Sequence, residues 1–222
     1  GEIHVNRDHY RNFEKGKDGF IKNLFATFWQ KQLLAKLKRI DEFIVLTKDD
    51  RNSWKELENV KVIPNPLPFM PTKLTTLTNK SIISVGRFSH EKGFDTLIEV
   101  WKKVNKKHPD WILKVYGIGN IEQLTPMIEH AGLTKQIIPM YPINNIHEAY
   151  INSTIYVCSS RFEGFGMTLI EAMSCGLPCV SFDCPHGPRN IITNNVNGYL
   201  VEPGNIEALA ERICYLIEHE EL

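Results

Sequence analysis

From Val85 onward the chain alternates short β-branched runs with longer amphipathic stretches, and this alternation constrains the fold more than any other feature. The run SIISVG (81–86) precedes EKGFDTLIEVWKKVNKKH (91–108), whose apolar positions recur at helical spacing. WILKVYG (111–117) precedes NIEQLTPMIEHAG (120–132), which ends on a glycine suited to a helix C-cap. QIIPM (136–140), helix-like NNIHEAYINS, TIYVCSS (154–160), MTLIEAMSCG (167–176) and LPCVSF (177–182) continue the rhythm. GYLV and the helix pattern NIEALAERICYLIEHE (205–220) close it. Strands so rich in Val and Ile are buried on both faces, as in a parallel sheet with helical crossovers. The expected fold class is α/β, a doubly wound parallel sheet. Right-handed crossovers gather the loops at the strands' C-terminal ends along one edge, where ligands bind.

The first 64 residues follow another pattern. They offer one long helix (20–40), the strand EFIVLT (42–47), a short helix in DRNSWKELE and the strand VKVI. These are too few to close a sheet of their own. VIPNPLPFMP (62–71) holds four prolines in ten residues and reads as a rigid linker. The expected division is 1–64, the tail of an N-terminal domain plus linker, and 65–222, a complete C-terminal domain. The absence of an initiator Met fits a chain numbered from inside a longer protein.

The sequence has 222 residues, 42% apolar and 23% charged, as expected of a globular protein with a substantial core. Lys+Arg and Asp+Glu stand at 26 each, which argues against nucleic acid as a bulk electrostatic partner. No apolar run reaches the roughly 18 residues of a membrane span, and GEIHVNRDHY lacks a signal peptide's apolar core. The expected location is cytoplasmic. The long helix sets Phe20, Leu24, Phe25, Phe28, Trp29, Leu33 and Leu34 beside Lys22, Lys31, Lys36, Lys38 and Arg39. Such a helix can lie on the anionic inner face of a membrane as a peripheral contact. An ordinary core face with solvated lysines is the plainer account. The five cysteines form no CxxC pair and read as reduced, buried thiols. Zinc on Cys175, Cys179, Cys184 and His186 is an alternative that the apolar run around Cys179 disfavours.

The stretch EGFGMTLIE (163–171) carries the chemistry. Glu163 emerges from the strand TIYVCSS at the ligand edge. Gly164 and Gly166 permit backbone dihedrals closed to other residues and let a ligand approach the main chain. A helix starting near Met167 directs free N–H groups and a positive dipole end at that edge, a seat for phosphate. Glu171 follows about one turn in. Carboxylates accept hydrogen bonds from sugar hydroxyls, so a sugar nucleotide fits, with Glu171 on the ribose diol and Glu163 on the transferred sugar. A second cluster follows SIISVG: after Gly86 come Arg87 and Lys92, placed to neutralise a diphosphate. Two basic residues after a strand are commonly just solvated, and this pair gains weight by predicting the same ligand.

GRFSHEKG, EGFGMTLIEAMSCGLPCV and NGYLVEPGN together resemble the nucleotide-binding half of the family 4 retaining glycosyltransferases. The resemblance covers roughly 62–220, with VIPNP at the interdomain connection, and its glutamate pair with seven residues between is specific. It implies the C-terminal, Rossmann-like domain of a glycosyltransferase-B fold, with sugar transfer from a nucleotide donor, retention of anomeric configuration and no required metal or other cofactor. By position, Arg87 and Lys92 bind the diphosphate, Glu163 orients the donor sugar and Glu171 holds the ribose. Gly86, Gly164, Phe165, Gly166, Met167 and Thr168 line the donor, the backbone of 165–168 touching sugar and phosphate, and 139–142 fall where the base is held. DCPHGPRNII (183–192) resembles a subset that uses UDP-hexoses or UDP-N-acetylhexosamines for surface polysaccharides and lipid-linked glycans. The implied partners are a UDP-sugar and a glycan or lipid-linked acceptor. Many members carry a glutamate near Asn190, which this chain lacks.

The implied chemistry leaves an oxocarbenium-like sugar and a diphosphate whose growing charge Arg87, Lys92 and the helix terminus would stabilise. Glu163 as a nucleophile is disfavoured, because a residue gripping the donor's hydroxyls lies off the back face. Two other classes are weighed: a UDP-sugar epimerase of the same fold, not expected to carry this glutamate pair, and a non-catalytic sugar-nucleotide-binding module. Donor binding without turnover is expected of this chain, because the acceptor side belongs to the other domain.

Overall fold

The computed structural model describes residues 20–219, with side chains from residue 27. The opening decapeptide and the side chains of Phe20, Lys22, Leu24 and Phe25 lie outside that set. The chain forms two compact units, Gly1–Asn65 and Pro66–Leu222.

In the first unit, α1 (Phe20–Leu37), β1 (Phe43–Val45), α2 (Lys48–Ser53) and β2 (Val60–Val62) surround a small core. The strands pair in parallel, and Phe43, Val45, Trp54, Leu57 and Val60 are buried together. Leu33 and Leu34 pack on this cluster, while Phe28 is exposed. Thr47 caps α2, its hydroxyl accepting from the Asp50 N–H at 3.0 Å. No described helix is long and apolar enough to cross a membrane.

The second unit is the doubly wound sheet. Its strands are β3 (Ser81–Val85), β4 (Ile112–Tyr116), β5 (Ile137–Met140), β6 (Ile155–Cys158), β7 (Cys179–Phe182) and β8 (Tyr199–Val201). They lie in the order β5-β4-β3-β6-β7-β8, all parallel. The helices are α3 (Phe94–Lys107), α4 (Thr125–His130), α5 (Ile146–Ile151), α6 (Met167–Ser174) and α7 (Ile206–Glu218).

Alternating side chains feed two cores, because successive strand residues point to opposite faces. Ile82, Ile155, Val157, Val180 and Phe182 join α3, α4 and α7 on one side. Ile83, Tyr156, Cys158 and Cys179 join α5 and α6 on the other. Burying each such aliphatic side chain stabilises by about 1.5–3 kcal/mol. Strand order reverses between β3 and β6, so the crevice outside their C-terminal ends is the topological switch point where ligands bind.

Three helices depart from their patterns: α2 (Lys48–Ser53) starts and ends ahead of the 50–58 stretch, and two others are shorter than predicted. The 91–108 stretch opens as a tight turn at His90–Lys92, and Gly93, with φ of 64°, separates that turn from α3. The 120–132 stretch divides into a turn at Ile121–Gln123 and α4, which has proline in its first turn. All five cysteines are free and buried, and no group of three or more His, Cys, Asp or Glu placed to hold a metal occurs among the described residues.

Candidate functional site

Five of the predicted residues line one cavity of about 380 Å³ at the switch point: Gly86, Arg87, Lys92, Thr168 and Glu171. Each element brings its share for a local reason. β3 delivers Val85, Gly86 and Arg87 at its exit, and β4 delivers Tyr116, Gly117 and Ile118 beside them. Pro142, Ile143 and Ile146 come from the connection after β5 and the start of α5. α6 supplies Thr168 and Glu171 one turn apart on a single helix face. The aliphatic stem of Lys92 crosses Gly86 so closely that a Cβ there would stand 3.0 Å from the Lys92 Cδ. A larger hollow of about 430 Å³ lies at the opposite edge of the sheet, around Pro178, Asn197 and Gly198, and no acidic or basic side chain lines it.

The helix seat forms as the glycine pattern predicts. Gly166 takes the left-handed conformation, with φ of 98°, and caps α6. The first intrahelical bond runs from the Leu169 N–H to the Gly166 carbonyl at 3.0 Å, so the N–H groups of Met167 and Thr168 precede the ladder. Of the two glycines, Gly166 alone takes positive φ. The Thr168 hydroxyl shares a 2.7 Å hydrogen bond with the phenol of buried Tyr156.

The two glutamates occupy different surroundings. Glu163 is only 7% exposed, and its Oε1 accepts from the Lys92 ammonium at 2.6 Å and the Ser160 hydroxyl at 2.6 Å. It therefore stands behind Lys92, joined to the cavity through that ion pair. Gly187, from the 183–190 loop, leans on it so tightly that a Cβ there would lie 2.5 Å from the Glu163 Cβ. Glu171 faces the cavity, and its Oε2 accepts from the Tyr150 phenol at 2.9 Å. Burial pushes the Glu171 carboxyl up from the ordinary glutamate range, while the Tyr150 hydrogen bond opposes that rise. Burial, and then the negative charge of Glu171, push the Tyr150 phenol up as well.

Glu163, Gly164, Phe165, Gly166 and Met167 form the turn beside the cavity and do not line it. From 139–142, Pro142 lines the wall. Sequence inspection missed Tyr150, which sits in a helix with no local mark of function. It also missed Ser160 and Arg161, although both leave β6 at the ligand edge just ahead of Glu163 and could have been found on that ground. Ile118 and Ile143 were missed too. They are 67% and 42% exposed, large apolar side chains at a cavity wall rather than in a core.

Comparison with known proteins shows the family and the fold. The family model "Glycosyl transferases group 1" matches residues 70–222. An uncharacterized glycosyltransferase of Haemophilus influenzae is 36% identical over 82% of this chain and 53% of its own length. The poly(ribitol-phosphate) alpha-N-acetylglucosaminyltransferase of Staphylococcus aureus is 30% identical over 100% of this chain and 44% of its own. A crystal structure of an S. aureus TarM mutant with fondaparinux, alpha-GlcNAc-glycerol and UDP superposes with a TM-score of 0.81. It is 30% identical, covering 98% of this chain and 43% of that one. The chain thus spans about half the length of the curated relatives it matches. A motif set, a switch-point cavity and a family model covering most of the chain agree: the chain belongs to the glycosyl transferases group 1 family, as the C-terminal half of a glycosyltransferase-B fold.

Proposed function

We propose that this chain is the donor-binding part of a retaining glycosyltransferase. The enzyme would move a hexose or N-acetylhexosamine from a UDP-sugar to a glycan or lipid-linked acceptor. One observation carries the proposal: Arg87 and Lys92, from the exit of β3, and Thr168 and Glu171, from α6, two stretches far apart in sequence, line a single cavity at the sheet's switch point. Two cations and a helix N-terminus suit a diphosphate, and the carboxylate of Glu171 suits the ribose diol. The TarM mutant holds UDP and alpha-GlcNAc-glycerol, and the pneumococcal O-GlcNAc transferase GtfA (25% identical, TM-score 0.73) holds UDP and GlcNAc. Those likenesses favour uridine as the base and an N-acetylhexosamine among the sugars.

In transfer, the anomeric C–O bond breaks and its electron pair stays on the diphosphate. Arg87, Lys92 and the opening N–H groups of α6 would meet that charge without reorganising, where electrostatic stabilisation is most effective. Glu163, buried behind Lys92 with Oε1 held by Lys92 and Ser160, is not placed to attack the anomeric carbon and would orient the donor through Lys92. Front-side attack by the acceptor, assisted by the leaving diphosphate, then accounts for retention. In this reading no metal takes part: Arg87, the Lys92 ammonium with its Glu163 partner and the opening N–H groups of α6 would face the diphosphate's charge. Acceptor binding calls for the other half of the fold, so the 222-residue chain binds donor without turnover.

The direct test is a thermal-shift screen against UDP-, GDP- and ADP-sugars. A UDP-sugar at one hundred times its Kd stabilises the native state by about 2.7 kcal/mol, which raises Tm by roughly 5–10 °C for a chain of this size. No shift with any UDP-sugar, or a larger one with a GDP- or ADP-sugar, rules the assignment out.

A pH prediction follows from Glu171. Its carboxyl lies above the ordinary range through burial. Donor affinity is therefore lost on acidification at a pH above the usual glutamate pKa of about 4.3. UDP-glucose is the suitable probe, because its esterified diphosphate keeps its charge through this range. Tyr150→Phe deletes the bond that opposes the rise, so the loss of affinity moves to still higher pH. Identical pH profiles for Tyr150→Phe and wild type would remove Glu171 ionisation from donor binding.

A further inference from the structure

The turn that carries Lys92 is short, yet its placement determines where the ammonium stands. Three consecutive carbonyls of that turn are caught by the strand-exit segment 159–161. The Ser159 hydroxyl donates to the Lys92 carbonyl at 3.0 Å, and the Arg161 N–H donates to the Glu91 carbonyl at 2.8 Å. The Arg161 Nη1 donates to the His90 carbonyl at 2.7 Å. The same guanidinium grips the first turn of α3. Nη1 reaches Asp95 Oδ1 at 2.7 Å, and Nη2 reaches Asp95 Oδ2 at 2.5 Å and the Thr96 hydroxyl at 3.0 Å. Gly93 completes the junction, since a Cβ there would lie 2.2 Å from the Ser159 carbonyl oxygen.

We infer that Arg161, through its fork onto Asp95 and the His90 carbonyl, is the positioning residue that holds Lys92 against the donor's diphosphate. The inference rests on the donor-site assignment made above. It deepens that assignment by naming which residue preorganises the cationic wall. The fork is planar and bidentate, a geometry that lysine cannot reproduce. Its energetic setting also points to placement. Arg161 and Asp95 side chains are 36% and 39% exposed, and pairs so open to water contribute little to global stability. The Arg161 hydrogen bond nonetheless holds the Asp95 carboxyl below its usual range, as expected of a persistent contact. A loop ordered before binding does not have to be ordered by the ligand, which is how preorganisation raises affinity.

The test compares UDP with uridine, which lacks the diphosphate, by ligand-observed NMR on wild type, Arg161→Lys, Arg161→Ala, Asp95→Asn and the Arg161→Ala/Asp95→Asn pair. The single variants are expected to weaken UDP about tenfold while leaving uridine within about twofold and Tm within a few degrees. The double variant is expected to be no weaker than Arg161→Ala, because both changes break one unit. Three results would overturn the inference: unchanged UDP affinity in Arg161→Lys and Asp95→Asn, equal losses for UDP and uridine, or additive losses in the double variant. A wild-type chain that binds uridine and UDP equally, or neither, sinks the donor-site assignment itself. Wild-type preference for UDP that survives in the variants sinks only the role of Arg161.

Discussion

Lys92→Ala is expected to lower the melting temperature of this chain by roughly 6–20 °C and to abolish detectable UDP binding. Lys92 and Glu163 form an ion pair at 2.6 Å with side chains 16% and 9% exposed. Removing one partner of such a pair leaves an uncompensated buried charge, at a cost of about 3–5 kcal/mol. For a chain of this length each kcal/mol moves Tm by about 2–4 °C. Ser160 remains as a hydrogen-bond donor to the stranded carboxylate, yet a neutral hydroxyl does not replace a cation. The companion variant Lys92→Met/Glu163→Gln separates structure from function. It removes both charges, so most of the lost Tm returns, but the diphosphate still lacks its cation and UDP affinity stays low. Scanning calorimetry and UDP titration read the two effects. A Lys92→Ala chain melting within about 2 °C of wild type would show that water reaches Glu163 and that the pair is not closed.

Glu171→Ala is expected to weaken UDP about 30- to 150-fold, the equivalent of losing about 2–3 kcal/mol of charge-assisted hydrogen bonding to the ribose. Stability should move the other way or not at all, and Glu171→Gln shows it best by retaining an acceptor for Tyr150. In the unliganded fold the Glu171 carboxyl is pushed up by burial. The folded state therefore binds its proton more tightly than the unfolded chain does. Near neutral pH the ionised group costs stability, and that cost disappears as pH falls through the folded-state pKa. Glu171→Gln removes the cost, so its Tm at pH 7 should equal or exceed that of wild type while UDP binding weakens. Ligand sites commonly trade stability for function in this way. A Glu171→Ala chain with wild-type UDP affinity excludes the ribose contact.

Much of this was legible from local order. The strand runs around Ile82–Ile83, Val115, Val157 and Val180 and the helix pattern of Phe94, Leu97, Trp101 and Val104 announce their structure, because side-chain direction repeats every two or 3.6 residues. Gly166 and Met167 mark the start of α6 because a left-handed cap and a helix terminus are properties of neighbouring residues. Even the ligand edge follows from chain order, since strand–helix crossovers have one hand.

By itself, then, the sequence determined the α/β class, the order of strands and helices in the second unit with most of their boundaries, and the presence of two cations and two acids at one edge of the sheet. Only the tertiary structure decided that Lys92 pairs with Glu163 across 71 positions, that Arg161 clamps the turn before α3 across the same separation, and that Tyr150 rather than a nearer residue holds Glu171. The physical reason is range: periodicity and capping act over a few residues, whereas these contacts exist only once sheet order and helix packing have brought distant loops to the same crevice.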